Sequence, residues 1–282
     1  MTDTKAFRKL TKEEIVNGFP NALNTGHIYV CYRVQVDHAT GCLIGAEALM
    51  RWEDPVYGPQ YPGDFVPVLE AHGLIYTADL FVFQEVCRFI DHCRESGSPL
   101  IPISVNMSRY DVYNNSQYVE GIEALRRKYD IPIKLLRIEI TESSAIGGTE
   151  LISSALRKLH DLDYIVEMDD FGSGYSSLSI LKALYVDVIK FDMTFFDGIM
   201  DDRGKAIIRA MVQLAKSLNV EIIAEGVETK DEADFMQSIG CNYIQGFLYG
   251  KPVSSEDLQK RVESSRLEPN MPAMDKQAAA AL

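Results

Sequence analysis

Short apolar, β-branched runs recur along the chain, separated by longer stretches of a different period. Eight runs stand out: His27–Asp37, Cys42–Trp52, Ile101–Ser108, Leu135–Glu142, Tyr164–Asp170, Asp187–Asp192, Glu221–Glu225 and Tyr243–Tyr249. Each reads as a strand. Between several of them the apolar positions fall at helical spacing. Across Thr77–Glu95 they are Leu80, Phe81, Phe83, Val86, Cys87 and Ile90, with polar residues between. Glu150–Leu162, Lys205–Leu218 and the shorter Asp231–Ile239 read the same way. Strands alternating with helices predict an α/β fold with a largely parallel sheet covered on its outside. Eight strands in 282 residues predict a closed, TIM-like (β/α)8 barrel rather than an open sheet. Only His38–Gly41 joins the first two runs, a hairpin spacing too short for a parallel crossover, so the first strand is expected to be antiparallel. No internal repeat or linker breaks the pattern. The expected organisation is a lead-in at residues 1–20, a single domain at 21–264, and a disordered tail or cloning remnant at 265–282.

Composition narrows the chemistry. The 28 Lys+Arg against 41 Asp+Glu leave a formal charge of −13, which argues against a basic groove for polymeric DNA or RNA. A small anionic ligand stays open, because carboxylates that gather divalent metals invert the local field. The five cysteines form no C-x-x-C and the five histidines no H-x-x-x-H, so a disulfide framework or a zinc site is disfavoured. Any metal would be held by oxygen, which favours magnesium or manganese. No run approaches the ~18 apolar residues of a membrane span, and Met1-Thr-Asp-Thr-Lys lacks the apolar core of a signal peptide. A soluble, cytoplasmic protein is expected, with no membrane contact.

The informative feature is what stands near the strand ends. Glu47 interrupts Leu43-Ile-Gly-Ala-Glu-Ala-Leu-Met, Asn106 ends Ile101-Pro-Ile-Ser-Val-Asn, and Glu139 sits in the fourth run. Asp169 and Asp170 end the fifth, Lys190 lies in the sixth, Glu225 ends the seventh, and Gln245 follows Tyr243-Ile. Polar groups are costly in strands buried on both faces. In a barrel the C-terminal strand ends converge on one mouth, where barrel enzymes place their chemistry. A single such acid is more often a helix cap or half of an ion pair. Several carboxylates with an Asn and a Lys on successive strands repel one another unless a cation neutralises them, and they are what a hard divalent ion requires. Asp169 and Asp170 point to opposite faces of a regular strand, so both reach one site only if the chain turns. Phe171-Gly-Ser-Gly supplies a turn there, and a shared plus a private carboxylate suits a two-metal centre. An ordinary glycine turn capped by Asp is the alternative. An inward Lys190 is either a structural ion pair or a group orienting the attacking water. Arg51 can contact a phosphate, and Trp52 can stack or pack. Met50, Met107, Met168 and Met193 fall on the alternate face and read as core.

These residues resemble the EAL-domain phosphodiesterases, which hydrolyse the bacterial second messenger cyclic di-GMP. The resemblance runs from about Asn21 to Val253. It is carried by Glu47-Ala-Leu with Arg51-Trp52, Ser104-Val-Asn-Met-Ser, Glu139-Ile-Thr-Glu-Ser and Asp169-Asp-Phe-Gly-Ser-Gly-Tyr-Ser-Ser-Leu. Lys190-Phe-Asp, Ala224-Glu-Gly-Val-Glu and Gln245-Gly-Phe follow in the family's order. The resemblance implies two magnesium or manganese ions. Glu47, Asn106, Glu139 and Asp169 match the positions that hold one, and Asp169 with Asp170 those serving the second. Glu225 and Lys190 match residues that position or activate the water, with the formal base left open. Glu228 and Gln245 match supporting residues. Glu142 matches an anchor of the loop Phe171–Leu178, which the family ties to dimerisation and substrate binding. A homodimer is therefore expected, and calcium should inhibit.

The implied reaction opens one 3′–5′ phosphodiester of cyclic di-GMP to linear pGpG. Tyr32-Arg33-Val34 stands where the family often has Tyr-Gln-Pro, whose Gln can touch the nucleotide, so Arg33 bears on ligand pose. Ser173 replaces a common Thr. Two other readings compete: a receptor that binds cyclic di-GMP without cutting it, and a scaffold using the barrel only as an interaction surface. No sensor or cyclase-like domain is read in the sequence, so either this is an excised catalytic domain or its control comes from a regulatory domain or partner protein elsewhere.

Overall fold

Thr11 and Glu14 start the first element. The Thr11 hydroxyl accepts the Glu14 N–H at 3.3 Å, and the Glu14 carboxylate accepts the Thr11 N–H at 2.8 Å, a reciprocal cap. The computed structural model describes residues 7–142, 149–172, 177–193 and 202–264. Helix α1 (Lys12–Asn24) leads into strands β1 (Ile28–Asp37), β2 (Cys42–Asp54) and β3 (Gly58–Gln60), then helices α2 (Pro62–Ala71) and α3 (Ile75–Ser96). Strand β4 (Ile103–Asn106), helices α4 (Arg109–Tyr113) and α5 (Asn115–Lys128), β5 (Leu136–Thr141) and α6 (Thr149–His160) follow. The order continues with β6 (Ile165–Phe171), α7 (Ser177–Ala183), β7 (Val188–Asp192), α8 (Asp202–Ser217) and β8 (Glu221–Glu225). Helix α9 (Lys230–Ser238), β9 (Tyr243–Ile244) and α10 (Ser255–Glu263) complete the described elements.

Eight strands close a barrel in the order β1-β2-β4-β5-β6-β7-β8-β9 and back to β1, with β3 added to the far end of β2. β1 is antiparallel to both its neighbours, and the remaining barrel pairings are parallel. This is the TIM-like barrel with an antiparallel first strand that the hairpin spacing predicts. Outward strand residues such as Ile138, Ile140, Val166, Met168 and Ile189 are fully buried beneath the helices. Each contributes on the order of 1.5–3 kcal/mol. Glu139, Glu167, Asp169 and Lys190 take inward positions on the same strands.

Several elements differ from the sequence expectation. β2 outlasts the barrel and runs on as an arm paired with β1 and β3, so Glu47 stands mid-strand although it lies at the barrel mouth. The expected run Tyr243–Tyr249 is strand only at Tyr243–Ile244. Gln245 N–H still bonds the Ala224 carbonyl at 2.8 Å, and a turn closed by Tyr249 N–H on the Gly246 carbonyl at 3.1 Å then ends the strand. Helices α1, α2, α4, α5, α7 and α10 join those expected. The proposed boundary after residue 20 falls inside α1, whose Ile15, Phe19 and Ala22 pack with Trp52, Phe65 and Leu69 in a second small core. Trp52 therefore packs, 6.3 Å from the Phe19 ring and 5.6 Å from Phe65. Residues 265–282 lie outside the described residues. Among the described residues no helix is long and apolar enough to cross a membrane.

Candidate active site

The period of two carries Glu47 on β2, Asn106 on β4, Glu139 on β5, Asp169 on β6, Lys190 on β7 and Glu225 on β8 to one mouth of the barrel. Asn106 and Glu139 are partners in the β4–β5 ladder. The Lys190 ammonium, fully buried, sits among four carboxylates: Glu139 at 2.6 Å, Glu225 at 2.7 Å, Asp169 at 3.5 Å and Glu47 at 3.6 Å. The Gln245 amide donates to Glu47 at 2.6 Å and to Glu225, tying β2 to β8 through the residue that follows β9.

One ammonium cannot balance four carboxylates. Burial lowers the Lys190 pKa, yet Asp169, Glu139, Glu225 and Glu47 together outweigh it and hold the amine well above its ordinary value. Burial, reinforced by the other carboxylates, pushes Glu139 and Glu225 well up despite Lys190. Asp169 goes the other way: burial raises it, but Lys190 and hydrogen bonds from Glu225 and Glu139 bring it below the usual carboxylate value. Asp170 rises to about 6, through burial and then the charges of Asp169 and Asp192.

The Asp pair converges by a route the sequence only half suggests. Asp170 itself takes a left-handed backbone, φ 57°, one residue before the predicted turn, and Gly172 follows at φ 101°. The β6–β7 register shifts between Met168 and Phe171. A bulge of this kind turns consecutive residues toward one side. Asp169 and Asp170 accordingly line the same cleft, of about 270 Å³, with Arg33, Glu47, Glu225 and Glu228. A second cleft, of about 310 Å³, adjoins at Glu47 and is lined by Arg51, Asn106 and Thr141. Arg51 donates to its neighbour's carbonyl, Met50 O, at 2.8 Å. Glu142 accepts the Gly172 N–H at 3.1 Å. Residues 173–176 of the loop Phe171–Leu178 lie outside the described residues. A larger cavity of about 740 Å³ lies outside the barrel between β1, α3 and α10. Its charges are dispersed, and Glu85 and Arg88 pair with each other at 2.6 Å.

The sequence reading missed Asp79 and Glu167, and it held Asp192 only within Lys190-Phe-Asp, with no role. Asp192 joins the cleft of Asp169 and Asp170, two residues past Lys190. Asp79 lines the cleft of Asn106 and is hydrogen-bonded to Asp111 across α3 and α4. Its signal was an acid at a core-facing helical position, between Ile75 and Val82. Glu167 is buried inside the barrel, two residues before Asp169.

A hard cation suits this donor set. Glu139 Oε2 is buried without a hydrogen-bond partner, and Asp169 Oδ1, equally without one, is faced by the Lys190 ammonium at 3.5 Å. Among the described residues no three acidic, His or Cys side chains already form a metal cage. The Lys190 ammonium stands in the middle of the acids instead.

The EAL domain model matches residues 16–252. The chain belongs to the EAL domain family. The bifunctional diguanylate cyclase/cyclic di-GMP phosphodiesterase MucR of Pseudomonas aeruginosa is 34% identical over 246 residues, which is 87% of this chain and 36% of that protein. The probable cyclic di-GMP phosphodiesterase PdeG of Escherichia coli is 31% identical, over 91% of this chain and 50% of that protein. This EAL domain thus spans about a third to a half of such relatives. Among solved structures, the PaMucR phosphodiesterase in complex with c-di-GMP superposes with TM-score 0.80 at 34% identity, covering 87% of this chain and 99% of that one. The FimX EAL domain of Pseudomonas aeruginosa, at 18% identity and TM-score 0.77, shares the fold.

Proposed function

We propose that this EAL domain hydrolyses one 3′–5′ phosphodiester of cyclic di-GMP to linear pGpG with two Mg²⁺ or Mn²⁺ ions. The observation that carries the proposal is the surplus of buried carboxylate oxygen around Lys190, with Glu139 Oε2 lacking a hydrogen bond and Asp169 Oδ1 held only by the 3.5 Å ion pair. Relatives and a solved neighbour named for cyclic di-GMP support the substrate.

Glu47, Asn106, Glu139 and Asp169 would hold one ion, and Asp169 with Asp170 would serve the second. Bound there, such ions neutralise phosphoryl charge and lower the pKa of water. Lys190 and Glu225, 2.7 Å apart, are the groups that orient the attacking water and hold its proton. Gln245 fixes Glu47 and Glu225 relative to each other, which removes rotamer freedom that would otherwise be lost on binding. Arg51 and Arg33 line the clefts on either side of Glu47 and face the phosphates. Glu142 anchors the loop that begins at Phe171 and carries the proposed homodimer contact.

Incubation with cyclic di-GMP, with and without manganese, followed by chromatography, tests this. Manganese-dependent pGpG is expected, and Glu47→Ala or Asp169→Asn should abolish it while the fold survives. Binding without product in either metal would make the domain a receptor, and undiminished pGpG from either variant would refute the site.

A further inference from the structure

Beneath the candidate site lies a second polar layer. Ser104, Arg137 and Glu167 stand two residues before Asn106, Glu139 and Asp169 on β4, β5 and β6, so each shares the inward face of a site residue. Glu167 is the ladder partner of Glu139, and both are fully buried. Neighbouring strands are about 4.8 Å apart. Both Glu167 oxygens are satisfied: Oε1 accepts from Arg137 Nη1 at 2.9 Å and Oε2 from the Ser104 hydroxyl at 2.7 Å. The Arg137 side chain is 16% exposed. Stability does not explain such a pair, since replacing a buried ion pair by apolar residues is often neutral or stabilising.

We infer that Arg137 and Glu167 are positioning residues that set the net charge under the carboxylates, and so tune the site's affinity for divalent cations. The inference rests on the proposal that those carboxylates bind cations. Paired, the two charges cancel, and the surplus of Glu47, Glu139, Asp169 and Glu225 is left for the cations. Without the Glu167 charge, the Arg137 cation would stand uncompensated below Glu139 and compete with the ions. Without the Arg137 charge, a further carboxylate would attract them. The two losses should therefore act in opposite directions.

The test is calorimetric titration of Mn²⁺ into the full chain and into Glu167→Gln, Arg137→Gln, the double variant and Arg137→Lys, with thermal unfolding in EDTA to establish that each is folded. Glu167→Gln keeps the shape, its oxygen accepting from Arg137 and its amide donating to the Ser104 hydroxyl, and should weaken Mn²⁺ about tenfold. Arg137→Gln should tighten it, while the double variant and Arg137→Lys should fall within about threefold of the parent. If both single variants weaken binding and the double variant is worse, the pair is merely structural and the inference fails. Should Glu167→Gln not fold, the two Arg137 variants decide: tightening confined to Arg137→Gln supports the inference, and an equal change in both overturns it. A parent chain that binds no Mn²⁺ overturns the cation-binding proposal, and this inference with it. Parent binding without opposed shifts overturns this inference alone.

Discussion

Gly246→Ala probes the link between packing and site most directly. Gly246 follows Gln245, whose amide joins Glu47 to Glu225. A Cβ at 246 would lie 2.0 Å from the Val227 carbonyl oxygen, 2.5 Å from its nitrogen and 2.7 Å from its carbonyl carbon. Favourable heavy-atom contact lies near 3.5–4.0 Å, so the two backbones must part by roughly 1 Å or more. That movement strains two bonds, Val227 N–H to the Gln245 carbonyl at 3.3 Å and Leu248 N–H to the Val227 carbonyl at 3.1 Å. Overpacking costs about 1–3 kcal/mol, and each weakened bond up to about 1 kcal/mol more. The sum is roughly 1–5 kcal/mol, with a central value near 3 kcal/mol and a fall in Tm of about 5–15 °C. Thermal unfolding by circular dichroism measures it. Turnover of cyclic di-GMP should fall as well, because Gln245 is displaced with Gly246. Gly45→Ala provides a milder contrast: its Cβ meets the Gln35 Oε1 end at 2.6 Å, which can shift, and comes no nearer than 3.2 Å to backbone, at the Pro102 carbonyl oxygen. A Gly246→Ala protein melting within about 2 °C of the parent, or less perturbed than Gly45→Ala, would refute the reasoning.

Other consequences can be measured. Lys190→Met removes the cation from four carboxylates and should destabilise the metal-free protein by about 3–5 kcal/mol. Mn²⁺ should raise the melting temperature of this variant more than that of the parent, and an unchanged melting temperature without metal would count against the ion cluster. Calcium in place of magnesium is expected to inhibit pGpG formation, as read by chromatography, because its longer bonds fit a site built for small ions poorly. Burial and Asp111 hold the Asp79 carboxyl well above its ordinary value. Its folded form thus keeps a proton that the unfolded chain releases, and its contribution is full below about pH 4 and lost as pH rises through the raised value. Asp79→Asn, which keeps a neutral side chain, should flatten the decline in urea midpoint above pH 4, and an unaltered slope would show that Asp79 titrates elsewhere.

How far the site could be read depended on what each residue's signal was. Glu47, Glu139 and Lys190 were legible because a charge inside an apolar strand stands out against its neighbours, and the barrel then required a shared mouth. Asp79 carried the same kind of signal on α3, but the fate of a buried helical acid depends on its partner, and Asp111 lies on another helix. Helix α1 was announced by Thr11 and Glu14, a capping box easily hidden before a mostly polar segment. Glu167 carried no such signal, because its partners Arg137 and Ser104 stand on two other strands that only the barrel brings to it.

Local chemistry alone determined the alternation of strands and helices, the antiparallel start and the set of oxygen donors, because side-chain periodicity and hairpin length need no distant contact. Tertiary structure decided the rest. The left-handed backbone of Asp170, the bulge beside it, the exit of β2 into an arm and the end of β9 at Ile244 arise from how neighbouring strands and turns fit. So does the charge state of the carboxylates, since a pKa depends on burial and on charges that only folding brings within 4 Å of Lys190.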